Sequence, residues 1–524
     1  MTGLDWLIIV CYLIVMVALS VYVGRGHSTQ TDYFVGGRRL PWWAVGLSTM
    51  ATQTSAISFI SIPAFVALRP GGGLTWLQYE MAVPLAMIAV MVLLLPFFRR
   101  LHLISVYGYL ERRFNPSVRY LVSGVFLVAR SLGTGVGVYA SGIVLSVCLG
   151  IPLWSTILIM GSVTVIYDTI GGISAVVYSD VVQTAILIAG IIMCIYYASG
   201  LAGGLDQIWT AFPHDRRIAI DPSAGIGEGG GAPLWAFLIG GFFLYVYYYG
   251  TDQSQVQREL SSKDVTDTKL SLMFNGFARF PLTLLYVAMG VMLWGVVQHS
   301  PELGSNIPEG NPDYLVPSFI RLYLPPGLRA LVLASLLAAS MSSLDSALNS
   351  LSACTMRDYI GRRLKDPARL LLFSKLTTIA WGVIITLFAF AVGHISSTVV
   401  EGINMIGSLF AGPILGTFVM GVLSTRVTGR GVMAGILIGV ALNLGLALAA
   451  PSVHWMWWNM TGFLAVAVVA LLTRRPSASP RNAEVAPFVL QLKTLAATER
   501  PWLPVYGLMA GYFVLILAVL ISLK

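Results

Sequence analysis

The chain has 524 residues, of which 56% are hydrophobic and only 10% are charged. A soluble protein of this length needs a polar surface that so few ionisable side chains cannot supply, whereas a protein surrounded by lipid does not. The composition therefore excludes most soluble enzymes. The net charge of +9 does not indicate binding to nucleic acid either, because the Lys and Arg residues lie in short gaps between apolar runs.

Fourteen apolar runs are long enough to cross a bilayer as helices, each of which needs about 20 residues. Numbered as spans 1 to 14 in chain order, they are 4–23, 42–67, 74–98, 118–149, 153–170, 176–199, 233–261, 270–298, 328–356, 371–392, 398–422, 431–450, 455–473 and 502–522. The gaps between them are too short for a further folded unit. The sequence therefore predicts an all-α, polytopic membrane protein with a single transmembrane domain over 1–524.

The positions of Lys and Arg predict the orientation, because positively charged loops stay on the cytoplasmic side of a membrane. Of the 32 Lys and Arg residues, 23 fall in or at the edge of the odd-numbered gaps, including Arg119 and Arg258, and six fall in or at the edge of the other gaps, including Arg329, or in the C-terminal tail. We therefore expect a multi-pass protein of the cell's inner (plasma) membrane with both termini outside. The three remaining cations, Arg130, Arg279 and Lys375, lie within spans.

Sequence motifs of enzymes are absent. The chain has no P-loop, no GxSxG and no HExxH, and its four cysteines lie in apolar runs without the spacing of metal ligands. We therefore expect a protein that is not an enzyme. A channel would need a polar lining along a whole pore, whereas the polar residues here cluster near the middle of a few spans.

Span 2 has a polar centre, from Met50 to Ser58, between two apolar halves. A membrane helix can be broken only where protein or a ligand satisfies the freed backbone groups. One interpretation is therefore a broken helix in which the carbonyls of Ala51 and Thr54 face a cation and the hydroxyls of Ser55 and Ser58 face a solute. The alternative is that these hydroxyls bond to their own helix in a packed interface.

Span 9 carries a polar stripe that favours the first interpretation. Ala339, Ser342, Ser343 and Ser346 are spaced to share one helix face, and Asp345 borders it. Hydroxyl and carboxylate oxygens are the donors that hard cations prefer. An Asp in the middle of a membrane is a functional candidate; the alternative is a structural Asp that bonds to Ser and water.

Four stretches together resemble signature stretches of the sodium/solute symporter family, and most of all its bacterial members that carry sialic acid. They are ATQTSAIS at 51–58, SDVVQT at 179–184, TDQSQVQR at 251–258 and the Ser-Ser pair at 342–343. The resemblance implies a LeuT-type core of two inverted five-helix repeats, at 42–199 and 233–422. The first span and its loop, 3–41, would precede this core, and three flanking spans, 431–522, would follow it. Span 7 would then be broken near residues 249–252, as the counterpart of span 2.

The resemblance also implies where Na+ binds. A first Na+ would be held by the carbonyls of Ala51, Thr54 and Ala339 and the hydroxyls of Ser342 and Ser343. In some members a second Na+ is held at positions that match Asp180, Ser342, Asp345 and Ser346. Asp345 departs from the family, which usually has Ser or Thr there. Two neighbouring carboxylates either attract a cation more strongly or share a proton, and we favour a second Na+.

Arg130 is the best indication of the solute. It lies too deep in span 4 to reach the interface, and a guanidinium suits a carboxylate. It either pairs permanently with a membrane acid such as Glu80 or awaits a substrate carboxylate, and we favour the substrate because the sialic acid carriers have an Arg at the matching place. Their other sugar-contacting positions match Ser55, Ser58, Gln78 and Phe243. Asp252 and Arg279 are expected to pair as a gate or an internal salt bridge.

These expectations add up to Na+-coupled symport of a small organic solute by alternating access. The solute expected is a carboxylate such as sialic acid (N-acetylneuraminic acid), with another monocarboxylate, an amino acid, a sugar or a vitamin as alternatives. A channel or a membrane sensor on the same fold is the alternative from another class. We expect the bilayer, one or two Na+ and the solute as partners, no nucleic acid, and a functional monomer.

Overall fold

The computed structural model describes residues 1–220, 225–227, 233–361, 364–392, 399–476 and 479–523. Helices dominate the described residues, in which an isolated bridge between Leu40 and Ser262 is the nearest approach to a strand. The all-α prediction is therefore confirmed.

The described α-helices follow one another without β-structure between them. They are α1 Gly3–Val23, α2 Gln30–Val35, α3 Trp42–Gln53, α4 Ala56–Ala67, α5 Val83–Leu93, α6 Leu95–Arg100, α7 Gly108–Arg113, α8 Pro116–Leu149, α9 Leu153–Leu201, α10 Leu205–Ala211, α11 His214–Arg217, α12 Gly241–Gly250, α13 Gln253–Ser261, α14 Val265–His299, α15 Pro301–Ser305, α16 Leu315–Tyr323, α17 Leu328–Cys354, α18 Pro367–Val392, α19 Val399–Leu423, α20 Gly429–Ala449, α21 Trp457–Leu472, α22 Arg481–Val485, α23 Leu492–Glu499 and α24 Leu503–Ser522. A 3₁₀ segment, Leu74–Glu80, precedes α5, and a π-helical turn, Ala236–Gly240, precedes α12.

The number of membrane crossings, fourteen in the sequence analysis, is not confirmed. Among the described residues, nine helices are long and apolar enough to cross a membrane, or ten if α3 and α4 form one bent span. Three shorter apolar helices, Ala236–Gly250, Gly407–Leu423 and Trp457–Leu472, coincide with predicted spans 7, 11 and 13. The 49-residue α9 contains predicted spans 5 and 6 and has a non-helical residue, Gly172, between them. The fourteen runs thus fall on helices, but several are too short or too continuous to count as separate crossings.

The predicted break in span 2 is confirmed. The axes of α3 and α4 differ by 58°, and Thr54 and Ser55 between them have extended backbone conformations. The Ser55 hydroxyl caps α4 by accepting a hydrogen bond from the Ser58 amide at 3.4 Å. The Thr54 hydroxyl donates to the Met50 carbonyl at 2.9 Å, which is the back-bonding of the alternative interpretation. Both interpretations therefore apply to different hydroxyls of the same segment.

The chain also breaks where span 7 was expected to break. Helix α12 ends at Gly250 and α13 begins at Gln253. Asp252 caps α13, because its carboxylate accepts from the Ser254 amide at 2.8 Å and from the Ser254 hydroxyl at 2.5 Å. Gly250 permits close packing at this point, since an added Cβ would lie 2.4 Å from Leu94.

Helix α17 forms the centre of the bundle. It packs against α9, α8, α1 and α18 and also contacts both α3 and α4. Between Val332 and Cys354 every residue of α17 is buried except Ser343, which lines a cavity. The polar stripe of span 9 therefore lies inside the protein.

Gly172 is the residue of α9 for which a substitution is expected to be most damaging. Its φ of 51° and ψ of −151° lie in a region that other residues rarely adopt. An added Cβ would also lie 2.4 Å from the carbonyl oxygen of Tyr33. We expect Gly172→Ala to lower the free energy of unfolding by about 2–4 kcal/mol, measured by thermal unfolding of the purified protein. Gly445→Ala is the control, because no atom lies within 4 Å of its added Cβ; equal melting temperatures of the two variants would contradict the prediction.

Candidate functional site

A cavity of about 560 Å³ lies where the two broken spans approach α8, α14 and α17. Polar side chains from these elements, from the 3₁₀ segment Leu74–Glu80 and from α19 line it. They are Thr52, Gln53, Thr54, Ser55, Ser58, Ser61, Glu80, Arg130, Thr134, Ser141, Asp252, Arg279, Thr283, Ser340, Ser343 and Ser408, with Tyr79, Tyr245, Tyr247, Tyr248 and Tyr286 among the aromatic residues. A cavity of this size with a few polar groups from several helices is typical of a site for a small molecule.

Three of the five predicted solute residues, Ser55, Ser58 and Arg130, line this cavity. The lining, as far as the chain is described, does not include Gln78 or Phe243. Gln78 is fully buried, and the ring of Phe243 packs against that of Phe463 at 4.8 Å between centroids. Helical neighbours take their places: Tyr79 and Glu80 beside Gln78, and Leu244 and Tyr245 beside Phe243.

The guanidinium of Arg130 lies beside an acid that the sequence analysis paired with another residue. It interacts electrostatically with Asp252 and with the hydroxyls of Tyr247 and Tyr248. Its Nε is buried and has no hydrogen-bond partner among the described residues. Arg130 therefore retains hydrogen-bonding capacity next to the cavity.

Arg279 pairs with Glu80 and not, as expected, with Asp252. Its Nη2 lies 2.5 Å from Glu80 Oε1 and its Nε lies 3.4 Å from Glu80 Oε2, a two-point contact. A further bond of 3.1 Å runs from Arg279 Nη1 to the Thr54 hydroxyl at the break of span 2. Asp252 is occupied as the cap of α13. The pairing of Arg130 with Glu80, the alternative in the sequence analysis, is likewise not what the structure shows.

The residues expected to hold the first Na+ lie on α17 and on the facing break of span 2. Thr54 and Ser343 both line the cavity. The Thr54 amide donates to the Ala51 carbonyl at 2.8 Å, and the Ser343 hydroxyl donates to the Ala339 carbonyl at 3.2 Å. A carbonyl oxygen has two lone pairs, so the Ala51 carbonyl at the end of α3 retains one for a cation. The Ala339 carbonyl lies inside α17 and also accepts the helical bond from the Ser343 amide, so it becomes available when the Ser343 hydroxyl turns toward the cation. The donor set therefore fits a hard cation.

The residues expected to hold a second Na+ meet in one buried cluster. Asp180 accepts hydrogen bonds from the hydroxyls of Ser342 and Ser48, both at 2.5 Å. Asp345 accepts from the Tyr167 hydroxyl, and its Oδ1 lies 3.3 Å from the Ser346 hydroxyl. Ser342 was expected in both Na+ sites, and its hydroxyl is directed toward Asp180 of the second. Both carboxylates are 0% exposed.

Arg258 lies in the same cluster, a position that the sequence analysis missed because it counted this residue among the loop cations. Its Nη2 is 3.2 Å from Asp180 Oδ2, its Nε donates to Ser48 at 2.7 Å, and Nη2 also donates to the Ser346 hydroxyl. The residue is 1% exposed. The sequence did contain one indication that Arg258 is buried: Ser254 and Arg258 are one helical turn apart and therefore lie on the same face of α13.

Two further buried acids were also missed. Asp168 accepts from the Asn349 amide at 3.1 Å. Glu259 accepts from the hydroxyls of Thr49, at 2.9 Å, and Ser271, at 3.0 Å. Both are 0% exposed. Their positions near the ends of predicted spans 5 and 7 gave little reason to place them inside the protein.

The buried acids outnumber the buried base with which they interact. All four interact with the guanidinium of Arg258: Asp168, Asp180, Glu259 and Asp345. An excess of carboxylates in a region of low dielectric either attracts cations or takes up protons. The arrangement is therefore suited to the passage or binding of a positive ion.

Residues 33–439 match the sodium:solute symporter family. The human sodium/iodide cotransporter is 29% identical over 459 residues, which cover 85% of this chain and 70% of that protein. The sodium/sialic acid symporter NanT of Aliivibrio fischeri is 27% identical over 476 residues, which cover 90% of this chain and 92% of that protein.

A solved structure gives the same result. It is a substrate-bound, outward-open Na+-coupled sialic acid symporter, for which a novel Na+ site is described. It superposes with a TM-score of 0.82 and 26% sequence identity over 90% of this chain and 98% of that one. The LeuT-type fold, the coupling to Na+ and the expectation of a transporter and not an enzyme are confirmed. The chain is a multi-pass membrane protein and belongs to the sodium:solute symporter family.

Proposed function

We propose that this Na+-coupled symporter carries a carboxylate-bearing solute, such as sialic acid, by alternating access. The observation that supports this most strongly is Arg130, whose guanidinium lines the cavity with its Nε unpartnered in the described structure. A planar guanidinium binds a carboxylate through two parallel hydrogen bonds. Ser55 and Ser58 line the same cavity and offer hydroxyls to a polar solute.

The similar proteins favour an anion as well. The solutes in the names of the two relatives, iodide and sialic acid, are both anions. In this chain Asp252 interacts electrostatically with Arg130. A carboxylate that binds to Arg130 therefore competes with Asp252, whose position is fixed by its role as the cap of α13.

The Glu80–Arg279 pair connects the solute cavity to the first Na+ site in our proposal. Both side chains line the cavity, and Arg279 also bonds to Thr54, whose carbonyl is one of the proposed Na+ ligands. Holding the break of span 2 in one geometry keeps that carbonyl available, because the freed backbone groups have fixed partners. The pair is thus proposed to position the Na+ site without contacting the ion.

We propose a second Na+ near Asp180, Asp345 and Ser346. Asp345 interacts electrostatically with Asp180 and, more weakly, with Arg258, so it is the carboxylate of this pair with the less compensated charge. In the arrangement described, Arg258 provides the positive charge beside Asp180. A second Na+ would therefore bind toward Asp345, or after the guanidinium has moved away from Asp180.

The membrane arrangement is also a proposal. We place the protein in the inner membrane as a functional monomer, with both termini outside and inverted repeats at 42–199 and 233–422. The unequal distribution of Lys and Arg supports this orientation, and it persists when Arg258 is removed from the count of loop cations. The breaks of span 2 and span 7 support the repeats, because each break falls in the first span of its repeat.

Uptake of labelled N-acetylneuraminic acid into proteoliposomes tests the solute. We expect uptake to require an inward Na+ gradient, with no uptake when K+ replaces Na+. Arg130→Lys keeps the positive charge but loses the two parallel N–H donors of the guanidinium, so KM should rise about 10-fold or more. Arg321→Lys is the control, because Arg321 is exposed and does not line the cavity. If a monocarboxylate or an amino acid interacts with the transporter and sialic acid does not, the solute is that compound and not sialic acid. If transport of none of these solutes depends on Na+, the proposal is contradicted.

The second Na+ is tested by the number of ions. Two Na+ moved with one monoanion carry a net charge of +1, whereas one Na+ leaves transport electroneutral. We expect an inward current in proteoliposomes and a Hill coefficient for Na+ above one, which should fall to one in Asp345→Asn. The exposed Asp206→Asn should leave both unchanged. A Hill coefficient that stays above one in Asp345→Asn, or the absence of current in the unmodified protein, would count against a second Na+ at this place.

The Glu80–Arg279 pair is tested by a double-mutant cycle. Glu80→Gln and Arg279→Gln each leave one buried charge unpaired, whereas the double variant leaves none. We expect the two single variants to lose more stability in sum than the double variant, with a coupling of about 1–3 kcal/mol, measured by thermal unfolding. Additive effects would show that the pair contributes nothing specific.

A further inference from the structure

A second cavity, of about 330 Å³, lies away from the solute cavity, where the loop after α6 meets α7, the start of α8 and the turn after α17. Its polar lining consists of His102, Ser105, Glu111, Arg112, Arg119 and Arg357. None of these residues lines the solute cavity. Neither the solute nor the Na+ sites proposed above account for this cluster of cations.

The rim of the second cavity is positively charged, and most N–H donors of its two arginines make no hydrogen bond within the described structure. Arg112, Arg357 and His102 are exposed at the rim. In the described structure, Arg112 makes one hydrogen bond, of 3.3 Å, to the Leu101 carbonyl, and Arg357 makes one, of 3.3 Å, to Gln30. A guanidinium has five N–H donors, so most donors of both rim arginines remain available to a ligand.

The floor of the cavity is formed by Arg119, which is almost fully buried. Its guanidinium bonds to the carboxylates of Asp358 and Glu111 and to the Arg357 carbonyl at 2.9 Å. Asp358 also accepts from Ser105 at 3.0 Å. Both floor carboxylates thus bond to the same buried arginine, and Asp358 also interacts electrostatically with Arg357 at the rim.

Arg38 holds the loop after α6 in place through hydrogen bonds to its backbone. It donates to the carbonyls of His102, at 2.8 Å, and Leu103, at 3.0 Å. Both Arg38 and His102 have positive φ, of 57° and 50°, a conformation that is costly for residues other than glycine. Together with Arg38 and Asp358, which adjoin the lining, the described residues place four arginines and two carboxylates at the cavity, a formal excess of two positive charges.

We propose that this cavity binds a phosphate group, carried either by a phospholipid headgroup or by a soluble molecule. The excess of positive charge attracts a phosphate, which is a dianion as a monoester and a monoanion as a lipid phosphodiester, and arginine is the side chain best suited to bind phosphate oxygens. The cavity lies among residues of the odd-numbered gaps, where a basic pocket between membrane helices meets anionic headgroups.

A bound phosphate would hold together elements that carry the Na+ sites. The loop that forms the cavity continues to Ile104 and Val106, both of which bond to Gln253 of α13 at 2.8 Å. Helix α13 also carries Arg258, and α17 ends at the cavity. Occupancy is therefore expected to stabilise the arrangement of α13 and α17 described here.

The experiment measures binding directly on the purified full-length protein. In the first arm, inorganic phosphate is titrated in neutral detergent at constant ionic strength, and its Kd is measured by calorimetry. In the second arm, the melting temperature is compared in nanodiscs of phosphatidylglycerol and of phosphatidylcholine. The test variant is Arg112→Gln/Arg357→Gln. The control, Arg369→Gln/Arg430→Gln, removes two exposed arginines of odd-numbered gaps that do not line the cavity.

We expect saturable phosphate binding, a higher melting temperature in phosphatidylglycerol, or both, and a loss of at least 10-fold in affinity, or of the whole shift, in the test variant alone. A response in the first arm only identifies a soluble ligand, and a response in the second arm only identifies a lipid. No response in either arm, or equal losses in test and control variants, overturns the proposal. Since transport is not measured, neither result bears on the solute proposed above.

Discussion

The ion pair between Asp180 and Arg258 is the interaction on which the centre of this protein depends. Asp180 belongs to α9 and Arg258 to α13, and the hydroxyls that complete the pair come from Ser48 of α3 and Ser342 of α17. Four helices are thus joined through one carboxylate. Removal of one partner from a buried pair leaves an uncompensated charge, which costs about 3–5 kcal/mol. Because two of these helices, α3 and α13, adjoin the breaks, the pair also fixes how the breaks face each other.

The breaks in turn create the cavity that we propose for the solute. A continuous helix has no free backbone groups, whereas the interruption at Thr54 and Ser55 exposes carbonyls and the one before Gln253 introduces Asp252 beside Arg130. Each interruption is stabilised by local hydrogen bonds, those of Ser55 and Asp252 as caps. The same polar residues that weaken the helix therefore also satisfy its ends, which is why the site can exist within a protein that is otherwise apolar.

Much of this architecture was predictable from the sequence, because apolar runs and their polar interruptions are local features. The fourteen runs fall on helices, and both breaks are where the polar residues indicated. The partners of buried charges were not predictable, since a pair such as Glu80 and Arg279 joins residues far apart in the chain. Gln78 and Phe243 differ from their expected positions by a residue or two of helical register, which is enough to turn a side chain from the cavity to a packed face. Arg258 was misplaced for a related reason: hydropathy places it at the end of a span, and only the fold shows which way it points.

The position of Arg258 links the proposed ion and solute sites. It lies on α13, only six residues after Asp252, so the guanidinium that compensates Asp180 and the carboxylate that faces Arg130 belong to one short rigid element. A displacement of α13 that brings Asp252 away from Arg130 would also alter the contact of Arg258 with Asp180. The first change leaves Arg130 free to bind an anion. The second leaves the buried carboxylates with less positive charge beside them, so that they attract a cation more strongly. A single element with both charges is therefore a physical basis for coupling in which anion and cation binding favour each other.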